Sequence, residues 1–99
     1  MSKASVAYET IMVLSTKLGD EGIGERVEKF KALIEQNGTI DSVNEWGKRR
    51  LAYPINDETE GYYYLIEFKS PSEFPAELDR IYKITDGVLR SIIVNKEDM

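Results

Sequence analysis

The sequence predicts an α+β fold in which a four-stranded antiparallel sheet carries two helices on one face. Three observations lead to this prediction. Four segments are rich in the β-branched and aromatic residues that strands favour. Two further segments repeat apolar residues every three or four positions, the spacing of an amphipathic helix. The six segments follow one another as strand, helix, strand, strand, helix, strand, and right-handed crossovers fold that order into the ferredoxin-like arrangement.

The first strand and the first helix occupy the N-terminal third of the chain. Residues 8–14 predict a strand that is apolar on both alternating faces, which is typical of the centre of a sheet. A polar loop is expected at 15–22, where Asp20 is a suitable cap for the helix that follows. Gly38 is expected to end this helix in the left-handed conformation. The apolar stripe predicted for the helix consists of Ile23, Val27, Phe30, Leu33 and Ile34.

The middle of the chain predicts a hairpin with one long strand. Residues 39–55 form that strand, bulged near Gly47, where a glycine would let the backbone turn. Pro54 belongs at an edge or a strand end because it cannot donate a ladder hydrogen bond. A polar turn at 56–61 then leads to a second strand at 62–69, which is dense in aromatic residues.

A second helix and a last strand complete the predicted fold. Ser72 can cap the helix, and Pro75 is acceptable in its first turn. The apolar stripe predicted for this helix consists of Phe74, Leu78, Ile81 and Tyr82. The last strand is expected at 88–94, and residues 95–99 are expected to form a short polar tail. The whole chain, 1–99, has the length of a single domain.

Composition argues against an enzyme. The chain has no cysteine, which excludes a disulfide, a thiolate zinc site and a cysteine nucleophile, and no histidine, the commonest general base and metal ligand. A small phosphate hydrolase on this fold would be expected to have an arginine in a glycine-rich turn after the first strand, where the chain offers only Lys17. The pairs of acidic residues lie in predicted loops or the tail and are best explained as solvated charge. We therefore expect no catalytic site, no metal and no cofactor.

Charge and hydropathy narrow the remaining functions. The net charge of −5 argues against a protein that coats nucleic acid over its whole surface, although it leaves room for a local basic patch. No apolar run approaches the ~20 residues of a membrane span, and no apolar signal core follows residues 1–5. We expect a cytoplasmic protein with neither a membrane contact nor a small-molecule substrate.

The most unusual segment is a run of three consecutive cations, Lys48, Arg49 and Arg50. One interpretation is phosphate recognition, because arginine offers a planar fork of donors and lysine adds a point charge. The other is a solvated strand edge whose charges deter aggregation. Alternation along the strand directs Arg49 to the opposite face from its two neighbours, so the three cannot all contact one phosphate. On composition alone, both interpretations stay open.

One face of the sheet is predicted to lack a cover, because two helices protect only one side. Tyr63 and Leu65 lie on the opposite phase of their strand from Tyr62 and Tyr64. The first strand likewise has apolar residues on both phases. A bare face with such large apolar groups usually meets a partner. We therefore expect Tyr63 and Leu65, together with Trp46, to contact another protein.

The tyrosine-rich strand invites comparison with the RNA-recognition-motif domain, which shares this fold and stacks bases on aromatic residues of its third strand. Gly61, Tyr62 and Tyr64 fit that pattern. Glu60 replaces a basic residue, Tyr63 stands where a small residue is expected, and an acidic residue takes the final aromatic position. A stand-alone module that binds single-stranded RNA is therefore the alternative function, and packing is the better explanation of the tyrosines.

Several segments also resemble those of a known family. They are Tyr8-Glu9 in the first strand, Trp-Gly-Lys-Arg-Arg-Leu-Ala-Tyr-Pro-Ile at 46–55, and Glu-Gly-Tyr-Tyr at 60–63. In this order, and over nearly the whole chain, they resemble the bacterial small-subunit ribosomal protein family called S-six. The Leu89-Arg90 pair of the last strand fits the same pattern.

The resemblance implies a function. It implies a ferredoxin-like protein that binds small-subunit ribosomal RNA, in its central domain, together with a small basic ribosomal protein called S-eighteen. Members of this family assemble into the small ribosomal subunit and are not enzymes. Carried over to this chain, the residues expected to contact RNA are Lys3, Lys48, Arg49, Arg50, Tyr53 and Arg90.

Overall fold

The structure is a computed structural model that describes residues 5–55 and 58–98. Its strands are β1 (Val6–Ser15), β2 (Thr39–Ile55), β3 (Glu58–Ser70) and β4 (Val88–Asn95), and its helices are α1 (Gly19–Asn37) and α2 (Phe74–Ile84). The sheet has the strand order β2-β3-β1-β4, and every neighbouring pair is antiparallel. The predicted ferredoxin-like fold is confirmed, and so is the central position of the first strand.

The core lies between the sheet and the two helices. Both predicted helical stripes face it, and their buried residues are Ile23, Val27, Phe30, Ile34, Phe74, Leu78 and Tyr82. Thr10 of β1 is fully buried, and its hydroxyl shares a 3.0 Å hydrogen bond with the hydroxyl of Tyr82. A buried polar pair is tolerated because each hydroxyl satisfies the other. Burial also raises the pKa of the Tyr82 hydroxyl.

Both predicted helix caps are wrong. A short 3₁₀ turn, Thr16–Leu18, precedes α1, and the Ser15 hydroxyl caps it by accepting a 3.1 Å hydrogen bond from the backbone amide of Lys17. Helical structure therefore starts within the predicted loop, and Asp20 falls inside the first turn of α1. At α2 the capping position is Glu73 rather than Ser72, and the amide of Phe74 donates to the carbonyl of Pro71 at 3.2 Å.

Gly38 ends α1 as predicted, but for a different reason. Its φ of −171° is extended rather than left-handed. A Cβ atom at this position would lie 2.0 Å from the backbone carbonyl oxygen of Lys69 in β3. The chain needs glycine here because two backbones approach too closely for a side chain.

The β2–β3 hairpin extends beyond the rest of the sheet. β2 is bulged between Glu45 and Gly47, as predicted, and Gly47 has a φ of 81°. β3 begins at Glu58 rather than at Tyr62, because its pairing with β2 continues past the last β1 pair, Ser15 with Gly61. We call this extension, residues 50–55 and 58–60, the hairpin arm. The Ser15 hydroxyl ties the arm to the sheet by donating a 2.6 Å hydrogen bond to Glu58.

The end of the chain folds back against the sheet. β4 continues to Asn95, and Lys96–Asp98 form a 3₁₀ turn. The Glu97 carboxylate accepts a 3.0 Å hydrogen bond from the backbone amide of Ala7. Residues that were expected to form a polar tail are therefore attached to the start of β1.

Candidate partner and nucleic-acid interface

The strand register places the expected partner residues on the face of the sheet that the helices leave uncovered. Ile11 pairs with Leu65 on one side and with Ile92 on the other. Val13 pairs with Tyr63 and with Arg90 in the same way. Since directly opposed residues point to the same face of a sheet, these side chains share one surface. We call this surface the open face, and it consists of Ile11, Val13, Trp46, Tyr63, Leu65, Arg90 and Ile92.

Trp46 belongs to the open face because of the bulge in β2. The bulge adds a residue beside Gly47, which pairs with Tyr63. The indole ring stacks on the Tyr63 ring, with 6.3 Å between ring centroids and 17° between ring planes. Trp46 remains 42% exposed even so. The bulge thus converts an edge-strand residue into part of an exposed aromatic pair.

A cavity lies at the centre of the open face. It has a volume of about 240 Å³ and is lined by Ile11, Val13, Trp46, Tyr63, Arg90 and Ile92. Val13 is buried, whereas Ile92 is 45% exposed. The cavity is smaller than the roughly 300–1,000 Å³ of small-molecule sites. Its apolar lining and its single guanidinium suit one side chain of a protein better than a cofactor.

The basic run lies at the junction between the sheet and the hairpin arm. Lys48 pairs with Tyr62, Arg49 with Gly61, and Arg50 with Glu60. Arg49 therefore points to the open face and its two neighbours to the helix-covered side, as alternation predicts. All three are exposed. These cations cannot form a single pocket, but they surround one edge of the sheet.

The basic run forms no ion pair within the part of the chain that the structure describes. Within residues 5–55 and 58–98, neither the run nor Arg90 forms an ion pair. On α2, by contrast, Lys83 pairs with Asp79 at 2.8 Å and Arg80 pairs with Glu77. The Arg80 guanidinium holds the pKa of Glu77 below its usual range. No described carboxylate thus lies within ion-pair distance of these cations of β2 and β4, which are exposed to solvent.

The other residues expected to contact RNA do not gather in one place. Tyr53 lies in the hairpin arm and is 69% exposed. Arg90 lies across the sheet on β4, where it lines the open-face cavity. Lys3 falls outside the described residues. The structure thus brings Arg90 together with Trp46 and Tyr63, which were expected to contact a partner, and separates it from the arm.

Tyr62 and Tyr64 do not fit the base-stacking role of an RNA-recognition motif. Both pack against the core on the helix-covered side. The Tyr62 hydroxyl donates to the Glu45 carboxylate, and this hydrogen bond raises the pKa of Tyr62 to about 12. Burial raises the pKa of Tyr64. Of the three consecutive tyrosines, only Tyr63 is available on the open face.

Some features of the interface were not predicted. Ile92 lines the cavity, and its phase relative to Arg90 on β4 was a signal that could have identified it. Glu67 lies on the same face, opposite Glu9, and forms a 3.0 Å ion pair with Lys96. That ion pair raises the pKa of Lys96. No sequence pattern indicated it, because it depends on the 3₁₀ turn that follows β4.

Other kinds of site find no support in the described part of the chain. Among these residues no three acidic side chains gather as metal ligands would. The helices described are also too short or too polar to cross a membrane.

Comparisons with known proteins agree with the observed fold and with the family resemblance of the sequence. The family model described as "Ribosomal protein S6" matches residues 7–95. A small ribosomal subunit protein bS6 from Clostridium novyi is 50% identical over 91 residues, which cover 91% of this chain and 96% of that protein. A protein of the same name from Clostridium perfringens is 53% identical over 91 residues, which again cover 91% of this chain and 96% of that protein.

A solved structure is similar as well. The crystal structure of the 30S ribosomal protein S6 from Thermotoga maritima superposes with a TM-score of 0.90 and 29% identity. The match covers 96% of this chain and 91% of that chain. Sequence and architecture therefore point to the same relatives.

Proposed function

Because this chain belongs to the ribosomal protein S6 family, we propose that it binds ribosomal RNA in the central domain of the small subunit together with the basic protein S-eighteen. As a small-subunit ribosomal protein, the chain resides with the ribosome in the cytoplasm. One observation carries the proposal: an exposed basic run, which forms no ion pair with any described residue, adjoins an uncovered apolar sheet face.

The RNA-contacting part of the proposal rests on the cations that form no ion pair among residues 5–55 and 58–98. Arg49, Arg50 and Arg90 can each offer a fork of donors to phosphate oxygens, and Lys48 adds a point charge. Tyr53 presents an exposed ring that can stack on an unpaired base. Lys3, which precedes β1, is included on the strength of the family resemblance. These contacts form a local patch on a chain whose net charge of −5 repels phosphate elsewhere.

The partner-contacting part of the proposal rests on the open face. Trp46 and Tyr63 form a stacked, partly exposed pair, and Leu65 extends the apolar surface along β3. Aromatic side chains of this kind dominate the binding energy of protein interfaces. The central cavity can receive one apolar side chain of S-eighteen. Covering this face would remove exposed apolar surface, which favours association.

Together the two surfaces imply cooperative assembly. Two or three phosphate contacts give only weak binding, because the gain from counterion release grows with the number of phosphates neutralised. A basic partner on the adjacent open face would supply further phosphate contacts. We expect the chain and S-eighteen to bind RNA far more tightly together than either does alone.

Filter binding with a central-domain RNA fragment tests this proposal. The RNA is titrated at moderate salt with the chain, with S-eighteen and with both proteins, and strong retention is expected only with both. Trp46→Ala should abolish the cooperativity, whereas Ile84→Ala, which trims a 66% exposed residue of α2, should not. Tight, salt-resistant binding of the isolated chain would overturn the proposal and favour a stand-alone RNA-binding module.

A further inference from the structure

The open face has two ends of opposite charge. At one end Arg49 and Arg90 are exposed and form no ion pair with any described residue. At the other end Glu9 of β1 lies directly opposite Glu67 of β3. Apolar side chains separate the two ends. A partner that covers this face therefore meets two guanidinium groups, unpaired among the described residues, at one end. At the other it meets Glu9 and Glu67, beside the ion pair of Lys69 with Asp41.

The acidic end already holds a lysine of the same chain. Lys96, just after β4, extends across β1 and places its ammonium 3.0 Å from the Glu67 carboxylate. The 3₁₀ turn is held in place by Glu97, whose backbone amide donates to the Asn95 side chain at 2.9 Å and whose carboxylate accepts from the Ala7 amide. The C-terminal turn thus forms a strap over this end of the open face.

The strap does not neutralise the acidic end. Glu9 forms no ion pair with any described residue. Lys69, the next residue of β3 on this face, is paired with Asp41 at 3.9 Å, which leaves Glu9 and Glu67 facing the ammonium of Lys96. The Lys96 and Glu67 side chains are also 37% and 32% exposed. Ion pairs that remain this accessible to water contribute little free energy, so another charged group can replace one of the two partners easily.

Resting on the proposed function, we propose that Glu9 and Glu67 bind a cationic side chain of the basic protein partner, which displaces Lys96. Lys96 occupies the position that the partner's lysine or arginine takes in the complex. An arginine offers a planar fork of donors that can contact both carboxylates, whereas Lys96 forms an ion pair with Glu67 and not with Glu9 among the described residues. The C-terminal turn therefore competes with the partner and sets the affinity of the open face.

The charge pattern also fixes the orientation of the partner. Its cation lies at the Glu67 end and its apolar anchor in the central cavity, which leaves Arg49 and Arg90 at the far end for RNA phosphates. The reversed orientation would set the partner's cation against Arg90, and like charges in contact oppose binding.

Titration calorimetry with purified S-eighteen tests this inference on the full chain. Glu67→Gln should weaken binding about tenfold, because the partner's cation loses its counter-charge. Lys96→Gln should tighten binding roughly two- to fivefold, because an exposed competing ion pair is removed. Asp79→Asn and Lys83→Gln make the same charge changes in an ion pair on α2 and should leave the affinity unchanged.

The outcomes separate this inference from the function on which it rests. Unchanged affinity of Glu67→Gln, or weaker binding of S-eighteen by Lys96→Gln, would overturn it while the wild-type complex still forms. If wild-type chain and S-eighteen do not associate, the proposed function fails, and the inference with it. If Glu67→Gln does not fold, Lys96→Gln alone decides: tighter binding of S-eighteen supports the inference, and weaker binding overturns it. Loss of RNA affinity in Lys96→Gln would show that Lys96 serves RNA, which contradicts the inference.

Discussion

Replacing Arg49 and Arg50 by alanine directly tests the proposed RNA contacts of β2. Both side chains are exposed and form no ion pair with described residues. Their removal should therefore change the free energy of unfolding by no more than about 0.5 kcal/mol. They point to opposite faces of β2, so we expect them to contact different phosphates. Each replacement should then weaken binding independently of the other.

Counterion release sets the size of the effect. Each phosphate contact contributes roughly 0.7 to 0.9 to the slope of log affinity against log salt concentration. Loss of two contacts should make the slope shallower by about 1.4 to 1.8. At a salt concentration of ~0.1 M this corresponds to binding that is roughly 25- to 60-fold weaker, and each single variant should show about half of the logarithmic loss.

The assay is filter binding of the complex with S-eighteen to the RNA fragment at several salt concentrations. The control variant, Arg80→Ala with Lys83→Ala, removes two cations from α2 and should keep the wild-type slope. An unchanged slope in the β2 variant would refute the assignment of Arg49 and Arg50. An equal loss in the control would show that the effect comes from net charge and not from position.

Two further predictions concern the fold. Gly38→Ala should lower the free energy of unfolding by about 2 kcal/mol in a urea titration, because the added Cβ collides with the carbonyl of Lys69. The control Gly24→Ala meets nothing within 4 Å and should stabilise α1 by about 0.5–1 kcal/mol; equal effects would contradict the clash. Burial raises the pKa of Tyr82 above its ordinary value of 10.0, so the folded chain keeps a proton that the unfolded chain releases above about pH 10, and stability should fall as pH rises beyond it. Urea titrations at several alkaline pH values should show a shallower fall for Tyr82→Phe, and an unchanged slope would refute the linkage.

The sequence predicted the elements well because their periodicity extends over many residues. The stripe from Ile23 to Ile34 spans three helical turns, and a strand that is apolar on both faces has few places in a sheet other than its centre. Gly47 marked the bulge correctly, since glycine can adopt the positive φ found there without a steric penalty. The helix starts were predicted poorly, because the cap depends on where the preceding turn ends. Ser15 caps the 3₁₀ turn before α1, the capping position of α1 itself is Leu18, and Asp20 falls inside the helix.

Only part of the candidate site was predicted from the sequence, because only some of its features depend on a local pattern. Alternation along one strand correctly separated Arg49 from its neighbours, because a two-residue period needs no knowledge of the rest of the fold. The close approach of Gly38 to Lys69 and the ion pair of Lys96 with Glu67 join segments that are distant in the chain. No local pattern specifies such contacts. The Tyr62 side chain points to the core for the same kind of reason, because its direction depends on which face of the sheet the helices cover.

The hairpin arm divides the edge that carries the basic run into two parts of unequal stability. Arg49 lies where β3 still pairs with β1, whereas Tyr53 lies where only two strands remain. A two-stranded ribbon is marginally stable in water, so local opening of the arm costs less free energy than unfolding of the sheet. The Ser15 hydrogen bond to Glu58 limits that opening at one point. Under the proposed function, Arg49 would therefore contact RNA from a fixed position, while Tyr53 would do so from a segment that can change its shape.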